Sequence, residues 1–204
     1  MEDIIITISR EYGCGAREVG ETLANKLGIP YYDKRLIKIA AERSGLAPEF
    51  IEKTEQRAAG GIFYGINSTE STVGGVVPGG TSLADQVYLA QFGAIREIAA
   101  KGSCVIVGRC ADVILKDDYK CLNIFLHAPL EQRIKRAVEV YGINPNGAAH
   151  TVRETDKARS RHYKYYSDKK WGNAENYDIS MNMEKFSING AVRILLKALD
   201  TMAI

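Results

Sequence analysis

The chain has 204 residues, of which 46% are hydrophobic and 25% charged, and its formal net charge is +2. These totals are typical of one folded domain and exclude a wholly disordered chain. So small a charge excludes a strong overall field that would attract nucleic acid or an anionic membrane. No apolar run approaches the roughly 18 residues of a transmembrane helix, so we expect no association with a membrane.

The cysteines and the first residues bear on the compartment. The four cysteines, at 14, 104, 110 and 121, form no CxxC pair and stand at no zinc-like spacing from a histidine. The opening "MEDIIITIS" is acidic rather than basic, which argues against a signal peptide. Together these features predict a cytoplasmic protein with reduced cysteines.

The first element is the β-branched run "IIITIS" at 4–9, which is typical of a buried parallel strand. A turn with two glycines follows, and Val19 and Leu23 then recur at the spacing of one helix face, with Gly28 as the C-cap. "IPYYD" predicts a short strand that ends in Asp33.

Helices and strands alternate along the rest of the chain, which favours a parallel sheet covered on both faces, with ligands bound beyond the carboxyl ends of its strands. The basic segment 151–170 is expected to be helical at first and irregular around "KKWGN". The helix in "APLEQRIKRAVEVYG" is expected to turn inward Leu130, Ile134, Ala137, Val138 and Tyr141. The other predicted helices are "KRLIKIAAERSG", "APEFIEKTEQR", 83–98 and "SINGAVRILLKAL", and the other strands are "SCVIVG", "CLNIFL" and "YDISMN".

Residues 59–82 differ from the rest of the chain, with seven glycines and little periodicity. Such a composition predicts a long mobile loop. Loops of this length in a compact domain are often lids or binding segments, and the alternative is a surface excursion without a role.

The segment "SREYGCGARE" has the parts of a phosphate-binding loop. Gly13 and Gly15 allow the backbone to curl round an anion, and a helix that starts near Ala16 directs its N-terminal amides at it. The pattern G-x-x-x-x-G-K-[ST] is incomplete, because Ala16 stands at the lysine position and Arg17 and Glu18 follow. A tight turn without a ligand is the alternative. The predicted nucleotide-binding residues are Gly13, Cys14, Gly15, Ala16, Arg17 and Glu18.

Arg17 is the predicted replacement for the missing lysine. It lies in the first turn of the helix, where a cation opposes the helix dipole unless an anion balances it. A guanidinium can also bind phosphate through two parallel hydrogen bonds. Arg10, just before the turn, is a second candidate for the replacement of the lysine. A separate and less favoured possibility is that the Cys14 thiol of this loop is reactive.

Asp33 ends a predicted strand and precedes a helix. It can act as the N-cap of that helix, contact the substrate or bind magnesium. Arg35 follows closely and can reach an acceptor phosphate or be an ordinary surface charge. We take Asp33 and Arg35 as candidate substrate contacts.

A family resemblance extends over nearly the whole chain, up to the final helix. The stretches that carry it are, in order, "ISREYGCGAREVGETLANKLGIPYYDKRLI", "VIVGRCADVIL", "FLHAPLEQRIKR" and "DKARSRHYKYYSDKKWGNAENYDISMN". They resemble the cytidylate kinase-like family of bacterial proteins, which is related to the P-loop nucleoside monophosphate (NMP) kinases. The resemblance implies one domain over 1–204 with a three-layer α/β P-loop kinase fold and a five-stranded parallel sheet. It also implies an NMP-binding insertion at 34–86, containing the mobile glycine-rich loop, and a basic helical lid at 150–172.

The resemblance further implies roles for three arginines. Arg109, in the "GR" after a core strand, is expected at the acceptor monophosphate. Arg159 and Arg161, on the lid, are expected to close on the phosphates in transfer. The alternatives are an ion pair of Arg109 with Asp112, and a solvated basic face or an RNA-binding surface on the lid.

These features together predict an ATP- and Mg-dependent phosphotransferase that acts on a nucleoside monophosphate or a related small molecule, with CMP or dCMP as the first acceptor to test. The missing lysine leaves open a nucleotide-binding sensor or interaction protein without kinase turnover. RNA binding on the same scaffold is a weaker third hypothesis. The sequence assigns neither metal ligands nor an oligomeric state.

Overall fold

The computed structural model of the chain describes residues 3–59 and 82–202. The predicted mobile loop at 59–82 therefore lies, except for its two end residues, outside the described residues. The strands are β1 (Ile5–Arg10), β2 (Tyr31–Tyr32), β3 (Cys104–Val107), β4 (Cys121–His127) and β5 (Ile179–Asn182). The helices are α1 (Ala16–Leu27), α2 (Lys34–Ser44), α3 (Pro48–Ala59), α4 (Leu83–Ala99), α5 (Ala111–Leu115), α6 (Leu130–Glu139), α7 (Pro145–Ser167) and α8 (Ile188–Thr201), with a 3-10 turn at Ala174–Asn176.

All five strands are parallel and lie in the order β2-β3-β1-β4-β5. The central strand β1 is apolar on both faces because helices cover both. Ile6 and Ile8 pack with residues of α1 and α8, whereas Ile5 packs with residues of α4 and α5. The predicted three-layer α/β fold is confirmed. The carboxyl ends of β1, β2 and β3 share one edge of the sheet, which brings Arg10, Asp33 and Gly108 to the same place.

The helices α2, α3 and α4 form a third apolar cluster around Ile37, Ile51, Val87 and Ala94. Most of this cluster falls within the predicted NMP-binding insertion at 34–86. The helices α2, α3 and α4 thus have an apolar core of their own beside the sheet. The bounds of the NMP-binding insertion and its role stay predictions.

Two helices differ from the expectation. The basic helix α7 begins at Pro145 rather than near 150, because the Asn144 side chain accepts a hydrogen bond from the amide of Asn146 at 3.0 Å and proline fits the first turn. The short helix α5 was not predicted, since five residues are too few to show a helical period. Within the described part of the chain, none of the helices combines the length and the apolar content needed to cross a membrane.

Candidate active site

The loop between β1 and α1 has the backbone expected of a phosphate-binding loop. Gly13 and Gly15 have φ angles of 84° and 89°, in the left-handed region that favours glycine. A Cβ on Gly13 would also overlap the backbone carbonyl of Arg133. Ala16 and Arg17 begin α1, where the first amides have no carbonyl partner inside the helix. Residues 10–17 border a cavity of about 450 Å³, which we call the loop cavity.

Two of the predicted loop contacts have buried side chains. Ala16, at the lysine position, is 2% exposed and packs in the core beneath the loop. The Cys14 thiol donates to the backbone carbonyl of Leu126 at 3.4 Å, and burial raises its pKa to about 11. A thiol that stays protonated at neutral pH is a poor nucleophile, which argues against the reactive-thiol possibility. Both residues can therefore offer a ligand only their backbone.

Three guanidinium groups meet at the buried carboxylate of Asp33, where β2 ends. Arg17 Nε donates to Oδ2 at 3.0 Å, while Arg10 Nη2 and Arg109 Nη1 lie 3.9 Å and 3.6 Å from Oδ1. Arg109 Nη1 also donates to the backbone carbonyl of Asp33 at 3.0 Å. Asp33 occupies the N-cap position of α2, as predicted, but its side chain makes no capping hydrogen bond because the carboxylate faces the arginines.

Arg159 approaches the same place from α7. Its Nη1 donates to the backbone carbonyl of Arg10 at 2.9 Å, and its guanidinium lies over the ring of Tyr12, 5.6 Å from the centroid. We call Arg10, Arg17, Arg109 and Arg159, with Asp33, the arginine cluster. Three of these arginines share the carboxylate of Asp33, and Arg159 Nη1 lies 3.9 Å from Asp156 Oδ1. The excess of cations makes this edge of the sheet attractive to an anion.

Arg109 reaches the cluster from an uncommon backbone conformation. Gly108, Arg109 and Cys110 have φ angles of 79°, 56° and 55°, so three successive residues are left-handed. This conformation costs a non-glycine residue about 1–2 kcal/mol. Asp112, the alternative partner considered for Arg109, accepts a hydrogen bond from Tyr163 at 2.8 Å. The strained turn therefore directs Arg109 to the anion-attracting edge.

The arginines differ in how well their charges are balanced. Burial alone would raise the pKa of Asp33, but Arg10, Arg109 and Arg17 outweigh it and hold that pKa below its ordinary value. Burial, and then the charge of Arg159, lower the pKa of Arg10 to about 9, and burial also lowers the pKa of Arg159. For Arg17, partial burial would lower the pKa, but the charge of Asp33 and its hydrogen bond, together with smaller charges nearby, outweigh burial, and the pKa is raised. Arg10 is thus short of counter-charge, whereas Arg17 is paired with Asp33 and Arg159 lies 3.9 Å from Asp156.

A second cavity, of about 640 Å³, lies where α3, α4 and α7 meet the same edge of the sheet, and we call it the helix cavity. Arg109 and Trp171 are among the residues that line it. Arg10, Tyr12 and Arg159 line both cavities. The loop cavity and the helix cavity therefore share a wall that carries two arginines.

The structure brings together most, but not all, of the predicted site residues. Residues 13–17 and Asp33 border the loop cavity, Arg109 borders the helix cavity and Arg159 borders both. Arg35 is exposed and lies over the ring of Tyr32, 5.5 Å from the centroid. Among the described lining residues of the two cavities, neither Arg35 nor Arg161 is found. The substrate role of Arg35 and the catalytic role of Arg161 stay predictions.

Arg133 of α6, which the sequence analysis missed, ties the loop to two helices. Its side chain is 9% exposed, and its Nε donates to the carbonyl of Ala128 at 2.8 Å and lies 3.1 Å from Glu11 Oε2. Its Nη1 donates to the carbonyl of Tyr12 at 3.3 Å and to the carboxylate of Asp156 on α7. Asp156 also accepts from the amide of Tyr12 at 2.7 Å. We call Arg133, Glu11 and Asp156 the loop clamp.

The sequence did contain a signal for the loop clamp. Arg133 falls within the predicted apolar stripe of α6, three residues after Leu130 and four before Ala137. In the structure the buried residues of α6 are Arg133 and Ala137, whereas Leu130, Ile134 and Val138 are only partly buried. A charged residue in an apolar stripe indicates a buried ion pair, although its partners cannot be named from the pattern.

The chain from α7 onward packs against the edge of the sheet. The Tyr166 ring stacks on Tyr88 of α4, with centroids 3.6 Å apart, and its hydroxyl donates to Asp85 at 3.0 Å. Trp171 Nε1 donates to the hydroxyl of Ser9, near the end of β1, at 3.0 Å. These contacts hold the predicted lid, 150–172, over the helix cavity, while its movement stays a prediction.

In the described part of the chain, the carboxylates near the loop cavity are paired with basic side chains. Asp33 faces three arginines and Glu11 faces Arg133. Arg17 stands where the pattern has its metal-binding hydroxyl, and the next residue, Glu18, accepts from Arg136 at 2.8 Å and from Tyr141 at 3.3 Å. Over residues 3–59 and 82–202, no group of three or more His, Cys, Asp or Glu side chains could hold a metal ion. The protein supplies positive charge here through arginines.

Sequence comparison connects the chain with cytidylate kinases. The sequence model of the Cytidylate kinase-like family matches residues 5–185. The cytidylate kinases of Methanopyrus kandleri and Methanocaldococcus jannaschii are 28% and 29% identical to the chain over 115 and 108 residues, which is 52% of the chain in each case. The chain spans only 60% and 61% of the lengths of these two proteins.

Solved structures show the same fold over nearly the whole chain. An uncharacterised protein from Eubacterium ventriosum is 28% identical, with a TM-score of 0.73 over 98% of this chain and 100% of that one. A shikimate kinase from Bacteroides thetaiotaomicron and a gluconokinase from Sinorhizobium meliloti both have TM-scores of 0.58, at 15% and 17% identity. These matches cover 97% of this chain and 98% and 92% of those. At such low identity they show the fold alone, which is that of the P-loop kinases.

Proposed function

This chain belongs to the cytidylate kinase-like family, and from that membership we propose that it transfers a phosphoryl group from ATP to a nucleoside monophosphate or a related small molecule. CMP and dCMP are the first acceptors to test. The observation that supports the proposal most is the wall common to the loop cavity and the helix cavity. Arg10 and Arg159 both lie in this wall. A phosphoryl group that passes between two sites crosses such a wall, and cations there stabilise its charge.

The loop cavity suits the phosphates of ATP. The left-handed glycines and the first amides of α1 offer backbone donors, and the helix dipole adds a partial positive charge. Arg17 borders this cavity and can add a further contact at its exposed side. The volume of about 450 Å³ falls within the range of about 300–1,000 Å³ that is usual for small-molecule sites.

The helix cavity suits an acceptor with one anionic end and an uncharged, flat body. Arg109 and Arg159 can bind the anionic end. Trp171 and Val87 offer aromatic and apolar surface for the body, and the described lining contains no carboxylate. A nucleoside monophosphate combines a phosphate with an uncharged sugar and a flat base, which supports this class of acceptor.

In the proposed reaction, an oxygen of the acceptor phosphate attacks the γ-phosphorus of ATP. A new P–O bond forms as the bond to the β-phosphate oxygen breaks, and that electron pair leaves with ADP. The acceptor phosphate is already anionic at neutral pH, so no strong general base is needed. Arg159 neutralises the phosphoryl group in transit, and the contacts of Tyr166 and Trp171 help the lid keep out water.

An ATP-consumption assay with a panel of nucleoside monophosphates, CMP and dCMP included, tests this proposal. We expect ADP formation that depends on one acceptor, and a loss of kcat of about 10³-fold or more in Arg159→Ala. Arg193→Ala, which removes an exposed arginine of α8, is the matched control. Each assay is run with Mg²⁺ and with EDTA, because the predicted dependence on Mg²⁺ has no support from the side chains of the site.

A nucleotide-binding sensor or interaction protein without turnover is the second candidate. The observation that favours it is the buried side chain of Ala16 in place of the loop lysine. Clear binding of ATP by calorimetry, with no ATP consumed in the presence of any acceptor, would select this candidate and reject the first.

Two of the three tyrosines of the lid argue against the RNA-binding hypothesis, whereas the third, Tyr165, is exposed. Tyr163 is buried and donates to Asp112, and Tyr166 stacks on Tyr88. Side chains that pack within the protein are not available to stack on bases. We therefore propose a small-molecule nucleotide rather than a nucleic acid as the partner.

A further inference from the structure

We propose that Arg10 is a catalytic residue that takes the place of the absent loop lysine and binds the phosphoryl group in transfer. The inference rests on the proposed function. In the pattern G-x-x-x-x-G-K-[ST], Gly15 corresponds to the second glycine, and the first glycine position then falls on Arg10. The loop thus has no cation directly after its second glycine, where Ala16 stands, but it begins with the cation of Arg10.

The position of Arg10 fits this role better than that of Arg17. Arg10 ends the central strand β1, its side chain is 19% exposed, and it borders both cavities. The side chain of Arg17 is 52% exposed and borders the loop cavity only. A group that contacts a phosphoryl moving between the two cavities must lie at their common wall. Arg159, which donates to the Arg10 carbonyl, lies at the same wall.

The charge balance leads to the same residue. Asp33 lies 3.9 Å from the guanidinium of Arg10 but accepts a hydrogen bond from Arg17 at 3.0 Å. Burial and the neighbouring charge of Arg159 disfavour the cationic form of Arg10 and lower its pKa to about 9. Arg10 is still charged at pH 7, and a phosphate at the wall would supply the counter-charge that it lacks.

The turn after β3 leaves room for this arginine. Gly108 has a φ angle of 79°, and a Cβ at this position would overlap Nη1 of Arg10. The guanidinium can move away from such a Cβ more easily than the backbone can. A Gly108→Ala variant should therefore displace Arg10 from the wall without removing its charge from the protein.

The test compares ATP affinity, measured by calorimetry without any acceptor, in Arg10→Ala, Arg10→Lys and Arg17→Ala. We expect Arg10→Ala to bind ATP about 10- to 100-fold more weakly, as for a lost charge-assisted hydrogen bond. Arg10→Lys should recover most of the affinity, because it keeps the charge, and Arg17→Ala should lose much less. Melting temperatures of the unliganded variants report on folding, and Arg10→Gln, which removes the charge but keeps a polar side chain, gives the same comparison if Arg10→Ala does not fold.

Unchanged ATP affinity in Arg10→Ala, or an equal loss in Arg17→Ala, would overturn the inference. Because the measurement needs no acceptor, it separates the inference from the proposed function. If ATP binding depends on Arg10 but no acceptor is phosphorylated, the binding role of Arg10 stands and the proposed kinase activity is rejected. If the wild-type protein binds neither ATP nor inorganic tripolyphosphate, the role of Arg10 and the proposed kinase activity are both rejected.

Discussion

The loop clamp and the arginine cluster combine the same kinds of side chain at the same loop, and they differ in how the charges are matched. In the loop clamp, the single guanidinium of Arg133 faces the carboxylates of Glu11 and Asp156 and donates to two backbone carbonyls. In the arginine cluster, three guanidinium groups share the carboxylate of Asp33. The clamp has an excess of acceptors, and the cluster has an excess of cations.

This difference separates a structural arginine from a ligand-binding one. A buried guanidinium whose donors are matched by carboxylates and carbonyls has no need of a further anion, and its removal leaves buried negative charge. Guanidinium groups that share too few carboxylates stay attractive to a phosphate. We therefore expect substitutions in the clamp to change stability, substitutions of the cluster arginines to change binding, and substitution of the shared Asp33 to change both.

The largest expected effect is that of Arg133→Ala on the free energy of unfolding. Loss of this guanidinium leaves Glu11 without its cation and Asp156 with the more distant Arg159, 3.9 Å away. Breaking a buried pair in this way costs about 3–5 kcal/mol. Urea denaturation measures the change. Arg193→Ala, on the surface of α8, should stay within about 0.5 kcal/mol of the wild type. A loss of less than about 1 kcal/mol in Arg133→Ala would mean that the clamp does not hold the loop.

A smaller effect, with a characteristic dependence on pH, is expected for Asp33→Asn. Removal of the shared carboxylate leaves the cations of the cluster unbalanced, which should lower stability by about 1–3 kcal/mol at pH 7. The same change should strengthen the binding of ATP or pyrophosphate, since an anion then has no competitor. Urea denaturation and calorimetry measure the two effects. Weaker anion binding in Asp33→Asn would show that Asp33 organises the arginines rather than competing for them.

The pH dependence follows from the low pKa of Asp33 in the folded protein. A carboxyl whose pKa is held below its unfolded value of about 4 stabilises the fold above that pH, and the contribution is lost as the pH falls through the folded pKa. The stability difference between wild type and Asp33→Asn should therefore be full at pH 6–7 and shrink below about pH 4. A difference that is the same at pH 3 and pH 7 would contradict the ionised state of Asp33.

The smallest expected effect is that of Arg17→Ala on ATP affinity. About half of this side chain is exposed, and its charge is balanced by Asp33. Solvent screening therefore limits its contribution to the free energy of ATP binding to about 0.2–1 kcal/mol, which is at most about fivefold in affinity. Calorimetry measures it beside Arg10→Ala. A larger loss of ATP affinity would support the sequence-based prediction that Arg17 replaces the lysine. An affinity equal to that of the wild type would mean that Arg17 does not contact the phosphates.

The fold could be predicted because its signals are local. The apolar run of β1 and the stripe of Val19 and Leu23 on α1 give strand and helix directly, and both elements are confirmed. Gly28 caps α1 with a φ angle of 67°, and the Ser187 side chain caps α8 by accepting from Gly190 at 3.1 Å. The start of α7 at Pro145 was not predicted because the six residues that precede the basic segment are too few to show a helical period.

The site could be predicted only in part, because its organisation depends on distant pairs. The ends of parallel strands must share an edge, so the positions of Asp33 and Arg109 could be inferred before the structure. The pairing of Arg17 with Asp33 could not, since nothing in the order of residues shows which carboxylate faces which cation. Arg133 and Asp156 are separated by 23 residues and meet only because α6 and α7 pack together.

The overlap between Arg10 and any side chain at position 108 reaches beyond a single protein. An arginine at the end of β1 can occupy the wall common to the two cavities only in a protein that has glycine after β3. The dependence runs in one direction, because the left-handed backbone at Gly108 favours glycine even without Arg10. Among natural relatives of this chain, we therefore expect those with an arginine at position 10 to keep glycine at position 108, and those with a bulky residue at 108 to lack that arginine.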